Sequence, residues 1–159
     1  MANFDFISTT TSDGIATITM NRPPLNVLNI AMMAEFNDAL ETILADRDLA
    51  AVVIRGEGKA FSAGVDIADH TTDRVGDMIG QFHGIFRKLA STDALTIAVA
   101  QGAALGGGCE LACFCDIVLA SDRAKFGQPE VRVGVFPPVA ACIFPQQIGI
   151  RKAIELTAL

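Results

Sequence analysis

Two stretches of the chain share one pattern: a short apolar strand, a glycine turn and a run of small residues. The first, from residue 51, is AVVIRGEGKAFSAGVDI, and the second, from residue 96, is TIAVAQGAALGGGCEL. Wholly apolar strands are typical of parallel sheets that are covered on both faces. The repetition therefore predicts stacked turns of chain in an α/β fold, with Val65 and Gly107 at comparable places after their strands.

Hydrophobic spacing predicts the other elements. Strands are expected over 4–10, 15–20, 50–55, 96–100 and 117–120, and helices over 73–90 and after Asn29, which can cap a helix start. The period of 139–148 is ambiguous between strand and helix. The last stretch, GIRKAIELTAL, is predicted to be helical, and its lack of a glycine or polar stop suggests a chain cut short relative to a larger parent.

Composition narrows the function classes. The net charge is −6, with 51% hydrophobic and 19% charged residues, which favours a globular protein and gives no basic patch for nucleic acid or an anionic membrane. The apolar runs are shorter than the ~20 residues of a membrane span, and the first residues do not resemble a signal peptide, so we expect a cytoplasmic protein. Three of the four cysteines crowd into one apolar stretch, and His70 and His83 stand in polar surroundings, so we expect buried thiols and no metal site.

The glycine run of the second stretch, Gly106 to Gly108, opens a helical segment. The first N–H groups of a helix have no carbonyl partner and can bind an anion or a developing oxyanion. Tight packing of a helix on a strand would explain such a run equally well. Two such loops, each after a buried strand, could supply two converging N–H donors.

Glu110 and Glu130 are the candidate acid–base groups. Glu110 begins an apolar run and Glu130 follows Pro129, and two desolvated carboxylates near one bound thioester could share proton transfers. Glu110 could instead be a carboxylate favoured by a helix N-terminus, and Glu130 an ordinary loop acid. A carboxylate pair also permits metal binding, but no third ligand stands near either.

Four motifs together resemble the crotonase superfamily, which includes enoyl-CoA hydratases and isomerases: RPPLNVLN, KAFSAGVDI, AALGGGCELACFCDIVLAS and AKFGQPEVRVGVFP. The resemblance implies a crotonase-like (ClpP/crotonase) spiral of ββα repeats, with residues 1–159 as its N-terminal core domain and the C-terminal helical region largely absent. It implies an acyl-coenzyme A thioester as substrate, no separate cofactor and no metal. It also implies a homotrimer or dimer of trimers once the C-terminal region is supplied.

The resemblance also assigns site residues. It implies an oxyanion hole from the N–H groups of Val65 and Gly107, and hydration of an enoyl thioester by Glu110 and Glu130. The residues that it places against substrate or coenzyme A are Arg22, Pro24, Leu25, Val27, Ala63, Gly64, Asp66, Ile67, Gly106 and Pro137.

The chain departs from the family pattern at Pro137, Pro138 and Val139, where small, flexible residues are usual. With the segment DHTTDRVGDMIGQFHGIF, this departure resembles the cyclohexa-1,5-diene-1-carbonyl-CoA hydratases of aromatic degradation. The alternatives are a linear enoyl-CoA hydratase, an enoyl-CoA isomerase, or an inactive, truncated binding protein that keeps the fold.

Overall fold

A five-stranded sheet forms the base of the fold in the computed structural model, which describes residues 4–159. The strand order is β1-β2-β3-β4-β6. These strands are β1 (Ile7–Ser12), β2 (Ile15–Met20), β3 (Ala51–Gly56), β4 (Leu95–Ala100) and β6 (Ile117–Ala120). β1 and β2 form an antiparallel hairpin, and every other neighbouring pair is parallel. Parallel pairing agrees with the apolar sequences of β3 and β4. One face of each strand is buried, whereas the other face is only partly covered, with Val53, Ile97 and Val99 half-buried and Leu95 exposed.

The first strand differs from its prediction over 4–10. It begins at Ile7, because the N–H of Phe6 donates to the Glu35 carboxylate at 2.8 Å instead of to the hairpin. It continues to Ser12, which pairs with Ile15 across a turn at Asp13 and Gly14. The hairpin is confirmed, and the bounds of its first strand were wrong at both ends.

Two long helices pack together over the sheet: α1 (Ile30–Ile43) and α2 (Val75–Ala90). The Asn29 side chain accepts from the N–H of Met32 at 2.9 Å, which confirms the predicted cap, worth about 1 kcal/mol. The apolar face of α2 is buried as its spacing predicts, except for Val75, which is half-buried, and Ile79, which is 42% exposed. The main core lies between these helices and the sheet.

A second, smaller layer carries the small-residue segments. It contains β5 (Ala103–Leu105) paired in parallel with β7 (Lys125–Gly127), and a bridge between Ser62 and Ala104 extends it. Each turn of chain therefore adds one strand to the large sheet and one short segment to the small layer. This is the stacked, repeating arrangement that the two similar sequence stretches predict.

The remaining elements close one end of the molecule. They are a first 3-10 helix (Ile67–Asp69), α3 (Gly107–Phe114), a second 3-10 helix (Pro129–Val133), α4 (Pro138–Ile148) and α5 (Ile150–Ala158). The ambiguous segment over 139–148 is thus helical. Phe144 of α4 packs with Cys109 of α3 and Ala153 of α5 in a second small core. Within residues 4–159, none of the helices has the length and apolar character needed to cross a bilayer.

The last strand of the large sheet, β6, is exposed. Its four residues form backbone pairs with β4, and no strand among the described residues covers its other edge. Ile117, Val118 and Leu119 are 40%, 37% and 56% exposed. An apolar strand therefore lies on the surface of the chain.

All four cysteines are free thiols. Cys109 and Cys115 are buried as expected, whereas Cys113 is half-buried and Cys142 is exposed on α4, so the expectation of buried thiols was wrong for these two. No three His, Cys, Asp or Glu side chains are grouped as metal ligands in the described part of the chain.

Candidate active site

A cavity of about 640 Å³ opens where the small-residue segments, α2 and the start of α4 meet. The four residues of the proposed oxyanion hole and acid–base pair all line it. They are Val65, Gly107, Glu110 and Glu130. The apolar part of its lining includes Val75, Met78, Ile79, Phe82, Phe136, Pro137 and Pro138. The fold thus brings together two strand ends and two carboxylates that are far apart in sequence.

The backbone directs the N–H of Val65 into this cavity. Leu28 bonds to the residues on either side of Val65, through Leu28 N–H to the Gly64 carbonyl at 2.8 Å and Asp66 N–H to the Leu28 carbonyl at 2.9 Å. In a parallel bridge the N–H of the middle residue points the other way. Within residues 4–159, the N–H of Val65 has no hydrogen-bond acceptor.

The N–H of Gly107 lies beside the first loop. Gly64 has φ +101°, and a Cβ built on it would lie 3.4 Å from the Gly107 nitrogen, so the two loops approach at backbone distance. Gly107 is the first residue of α3, and its N–H likewise lacks an acceptor in the described chain. Two unpaired donors therefore border one cavity, as an oxyanion site requires.

Glu110 is buried in the first turn of α3 and is only 2% exposed. Its Oε1 accepts from the N–H of Ala140 at 2.7 Å, at the start of α4. The pKa of this carboxyl is raised to about 7: burial is the main cause, the charge of Glu130 adds to the rise, and the Ala140 and Val139 N–H groups oppose it. Glu110 can therefore hold or release a proton near neutral pH.

Glu130 lies in the second 3-10 helix and reaches back to the glycine run. Its Oε1 would be 2.6 Å from a Cβ built on Gly106, where φ is +53°. The amide nitrogen of buried Gln128, oriented to satisfy both groups, donates to Oε2 at 2.9 Å. Burial raises the pKa of Glu130, and the N–H of its own backbone and, to a smaller extent, a Coulombic interaction with His70 oppose that rise.

The residues that the resemblance assigns to substrate or coenzyme A divide into two sets. Ala63, Gly64, Ile67, Gly106 and Pro137 line the cavity. The other five, which do not line it, are Arg22, Pro24, Leu25, Val27 and Asp66.

The second set flanks the first glycine loop instead. Arg22 pairs with Asp66 at 3.1 Å and donates to the Val27 carbonyl at 2.9 Å, and the Leu25 carbonyl accepts from the Ala63 N–H at 2.9 Å. Contacts of this set therefore stabilise the loop that contains Val65.

Two histidines were missed by the sequence analysis. His70 and His83 were placed in polar surroundings, but both line the cavity. His83 directly follows Phe82 on the buried face of α2, and its pKa is lowered by burial and by Arg87. His70 follows the first 3-10 helix, a turn that the hydrophobic spacing does not predict. The position of His83 beside the helical stripe was the available signal.

Comparison with known proteins identifies the family. Residues 10–159 match the family described as enoyl-CoA hydratase/isomerase. The chain belongs to this family. A probable enoyl-CoA hydratase of Rhizobium meliloti is 40% identical over 97% of this chain and 61% of its own length. The cyclohexa-1,5-dienecarbonyl-CoA hydratase of Thauera aromatica is 36% identical over 85% of this chain and 52% of its length.

Solved structures agree with the fold. An enoyl-CoA hydratase from Mycobacterium avium subsp. paratuberculosis superposes with a TM-score of 0.91 at 30% identity, over 99% of this chain and 65% of that one. The chain therefore has the α/β crotonase fold that the sequence motifs imply. It spans about 61% of the length of the Rhizobium relative.

Proposed function

We propose that this chain carries the reaction site of an enoyl-CoA hydratase, which adds water across the α,β double bond of a coenzyme A thioester. The observation that supports the proposal is the convergence on one cavity of two unpaired N–H groups, the buried carboxylate of Glu110 and the half-buried carboxylate of Glu130. Family membership supports the thioester as substrate class.

The N–H groups of Val65 and Gly107 would bind the thioester carbonyl oxygen. Negative charge grows on this oxygen as the water oxygen attacks the β-carbon, and preorganised donors stabilise that charge. One glutamate accepts a proton from the attacking water, and a proton is delivered to the α-carbon of the resulting enolate. The net reaction adds one water and gives a 3-hydroxyacyl thioester.

Glu110 and Glu130 suit these proton transfers because burial raises the pKa of each carboxyl. A carboxyl with a pKa near neutrality is both a usable acid and, once ionised, a usable base. An isomerase that moves a double bond needs one proton-transfer group, so the presence of two favours hydration.

The proposal also includes the coenzyme A contacts and the assembly. Arg22 and the residues beside it, next to the first glycine loop, would contact coenzyme A. We expect the assembled protein to be a homotrimer or a dimer of trimers in the cytoplasm.

A cyclic acyl group is the second candidate substrate. The cavity wall formed by Phe82, Phe136, Pro137 and Pro138 is apolar, and neither proline has an N–H to offer a polar chain. The Thauera aromatica relative adds support for this alternative. A linear and a cyclic dienoyl thioester should therefore be compared directly.

The test measures hydration of crotonyl-CoA and cyclohexa-1,5-diene-1-carbonyl-CoA by the 159-residue chain, with product analysis to detect isomerisation. Glu110→Gln and Glu130→Gln should each lower the rate by about 10²–10⁴-fold. Glu41→Gln is the matched control, because Glu41 is exposed on α1 and pairs with Lys88. Full activity in both cavity variants would contradict the mechanism, and thioester binding without turnover would favour a binding protein.

A further inference from the structure

The ring of Phe82 contacts Gly107, one of the two residues whose N–H groups border the cavity. A Cβ built on Gly107 would lie 2.9 Å from Phe82 Cζ and 3.0 Å from Phe82 Cε2. The side chain of glycine is a single hydrogen, so the tip of the ring fills the space that a larger side chain would occupy. The Cα of Gly107 is therefore in van der Waals contact with the edge of the ring.

Val65 reaches the same point from the first glycine loop. Its Cγ2 would lie 2.8 Å from the same Cβ, so the Val65 methyl group and the Phe82 ring tip meet beside the Gly107 Cα. The two residues that supply the N–H groups are thus in apolar contact with each other and with Phe82. Because protein interiors are close-packed, a change in one of these three groups is transmitted to the other two.

Hydrogen bonds fix the backbone at Val65 more completely than at Gly107. The Leu28 backbone bonds to the residues on both sides of Val65, at 2.8 and 2.9 Å. Between the two small-residue segments, the last hydrogen bond within residues 4–159 runs from the Leu105 N–H to the Ser62 carbonyl at 2.9 Å, two residues before Gly107. Beyond that bond, the spacing of Gly107 and Val65 depends on packing.

The Phe82 ring is itself held by two other aromatic residues. It is 4% exposed, and it meets Phe86, one turn further along α2, edge to face with the ring centroids 4.8 Å apart. Phe86 meets Phe114 in the same geometry at 5.0 Å. Since Phe114 is the last residue of α3 and Gly107 is the first, rings from α2 contact both ends of α3. The tip of the Phe82 ring therefore has a defined position.

We propose that Phe82 is a positioning residue of the oxyanion site: its ring holds Gly107 at the distance from Val65 at which both N–H groups reach one carbonyl oxygen. The use of this spacing rests on the proposed function, but the spacing itself can be measured without a substrate. A smaller side chain at position 82 leaves space beside the Gly107 Cα, into which the start of α3 can move. Preorganised donors act only in the right geometry, and a misplacement of about 1 Å costs on the order of 10²-fold in rate.

The first test compares crystal structures of the unsubstituted 159-residue chain, Phe82→Leu and Phe36→Leu. Phe82→Leu keeps an apolar side chain and removes the ring tip, so we expect the distance between the Val65 and Gly107 nitrogens to change by more than the coordinate error. Phe36→Leu is the matched control, because Phe36 is fully buried on α1 and does not line the cavity. An unchanged distance in Phe82→Leu would refute the inference.

A double-variant cycle tests the contact in solution. Gly107→Ala places a Cβ against Phe82 Cζ and should lower the midpoint of urea unfolding. Phe82→Leu removes the opposing ring atoms, so the double variant should lose less than the sum of the two single losses. Strictly additive losses would contradict the contact.

Kinetic constants separate positioning from direct packing on the substrate, because Phe82 also lines the cavity. Phe82→Leu should lower kcat for crotonyl-CoA hydration by about 10²-fold and leave KM little changed, since the negative charge on the thioester oxygen develops only in the transition state. Phe36→Leu should keep both constants. A raised KM at unchanged kcat in Phe82→Leu would show packing on the acyl group instead and overturn the proposal.

The structures and the assay together separate the two proposals. A chain that hydrates neither thioester, but whose N–H spacing changes in Phe82→Leu, contradicts the proposed function and supports this inference. An active chain whose N–H spacing and kcat are the same in Phe82→Leu does the reverse.

Discussion

Replacing Gly106 with alanine tests where the Glu130 carboxylate must lie. A Cβ at Gly106 would be 2.6 Å from Glu130 Oε1, and ordinary contact begins at 3.4 Å, so the carboxylate has to move by about 0.8 Å. A misplacement of about 1 Å in a reacting group costs on the order of 10²-fold in rate. The backbone conformation also disfavours alanine. Gly106 has φ +53° and ψ −128°, which suit glycine alone, and another residue there costs about 1–3 kcal/mol of stability.

The assay for Gly106→Ala pairs the rate of enoyl thioester hydration with urea unfolding. We expect a rate loss of about 10²-fold and a loss of about 1–3 kcal/mol in unfolding free energy. Gly80→Ala is the matched control, because a Cβ on this exposed residue of α2 meets nothing within 4 Å, and it should gain roughly 0.5–1 kcal/mol in unfolding free energy without a change in rate. A destabilised Gly106→Ala that hydrates at the unsubstituted rate would refute the reasoning about Glu130.

Three further outcomes follow from packing, burial and exposure. Because the pKa of Glu110 is raised from 4.5 to about 7, mainly by burial, the folded protein binds this proton more tightly than the unfolded chain, and the free energy of unfolding falls as pH rises between these two values. Glu110→Gln should remove this fall and gain on the order of 3 kcal/mol in unfolding free energy at pH 8, measured by urea unfolding. An unchanged dependence of unfolding free energy on pH would contradict this expectation. Gly84→Ala places a Cβ 2.8 Å from Asn37 Oδ1, between α1 and α2, and should lower the free energy of unfolding by about 1–3 kcal/mol. The double variant with Asn37→Ala should recover part of this loss, and strictly additive losses would argue against the contact. Exposed Cys142 should be alkylated first in the native protein and buried Cys109 last, as peptide mass spectrometry would show, and the opposite order would place α4 elsewhere.

Local signals in the sequence predicted many of the strands and helices. Asn29 ahead of an apolar helical stripe identified the start of α1, and the glycine turns after two apolar strands identified the stacked layers. These features succeed because each depends on neighbours in sequence. The strand over 117–120 was also predicted with its observed bounds.

Contacts between distant segments explain what the sequence missed. The start of β1 depends on Glu35, twenty-nine residues after Phe6. The period of 139–148 was ambiguous because residues 139–144 are all apolar and show no repeat, and the helix is fixed by packing Phe144 onto α3 and α5. His70 enters the cavity only because Asp69 ties its turn to Ile30, thirty-nine residues away.

The exposed strand β6 has a consequence for handling the protein in solution. Its free edge presents unpaired backbone donors and acceptors beside Ile117, Val118 and Leu119, which makes it a template for another strand. At the high concentrations of a spectroscopic sample, two copies can join edge to edge and continue the sheet from one molecule into the next. Leu119→Lys, at the most exposed of the three, would oppose such growth through charge repulsion, and Leu119 does not line the cavity.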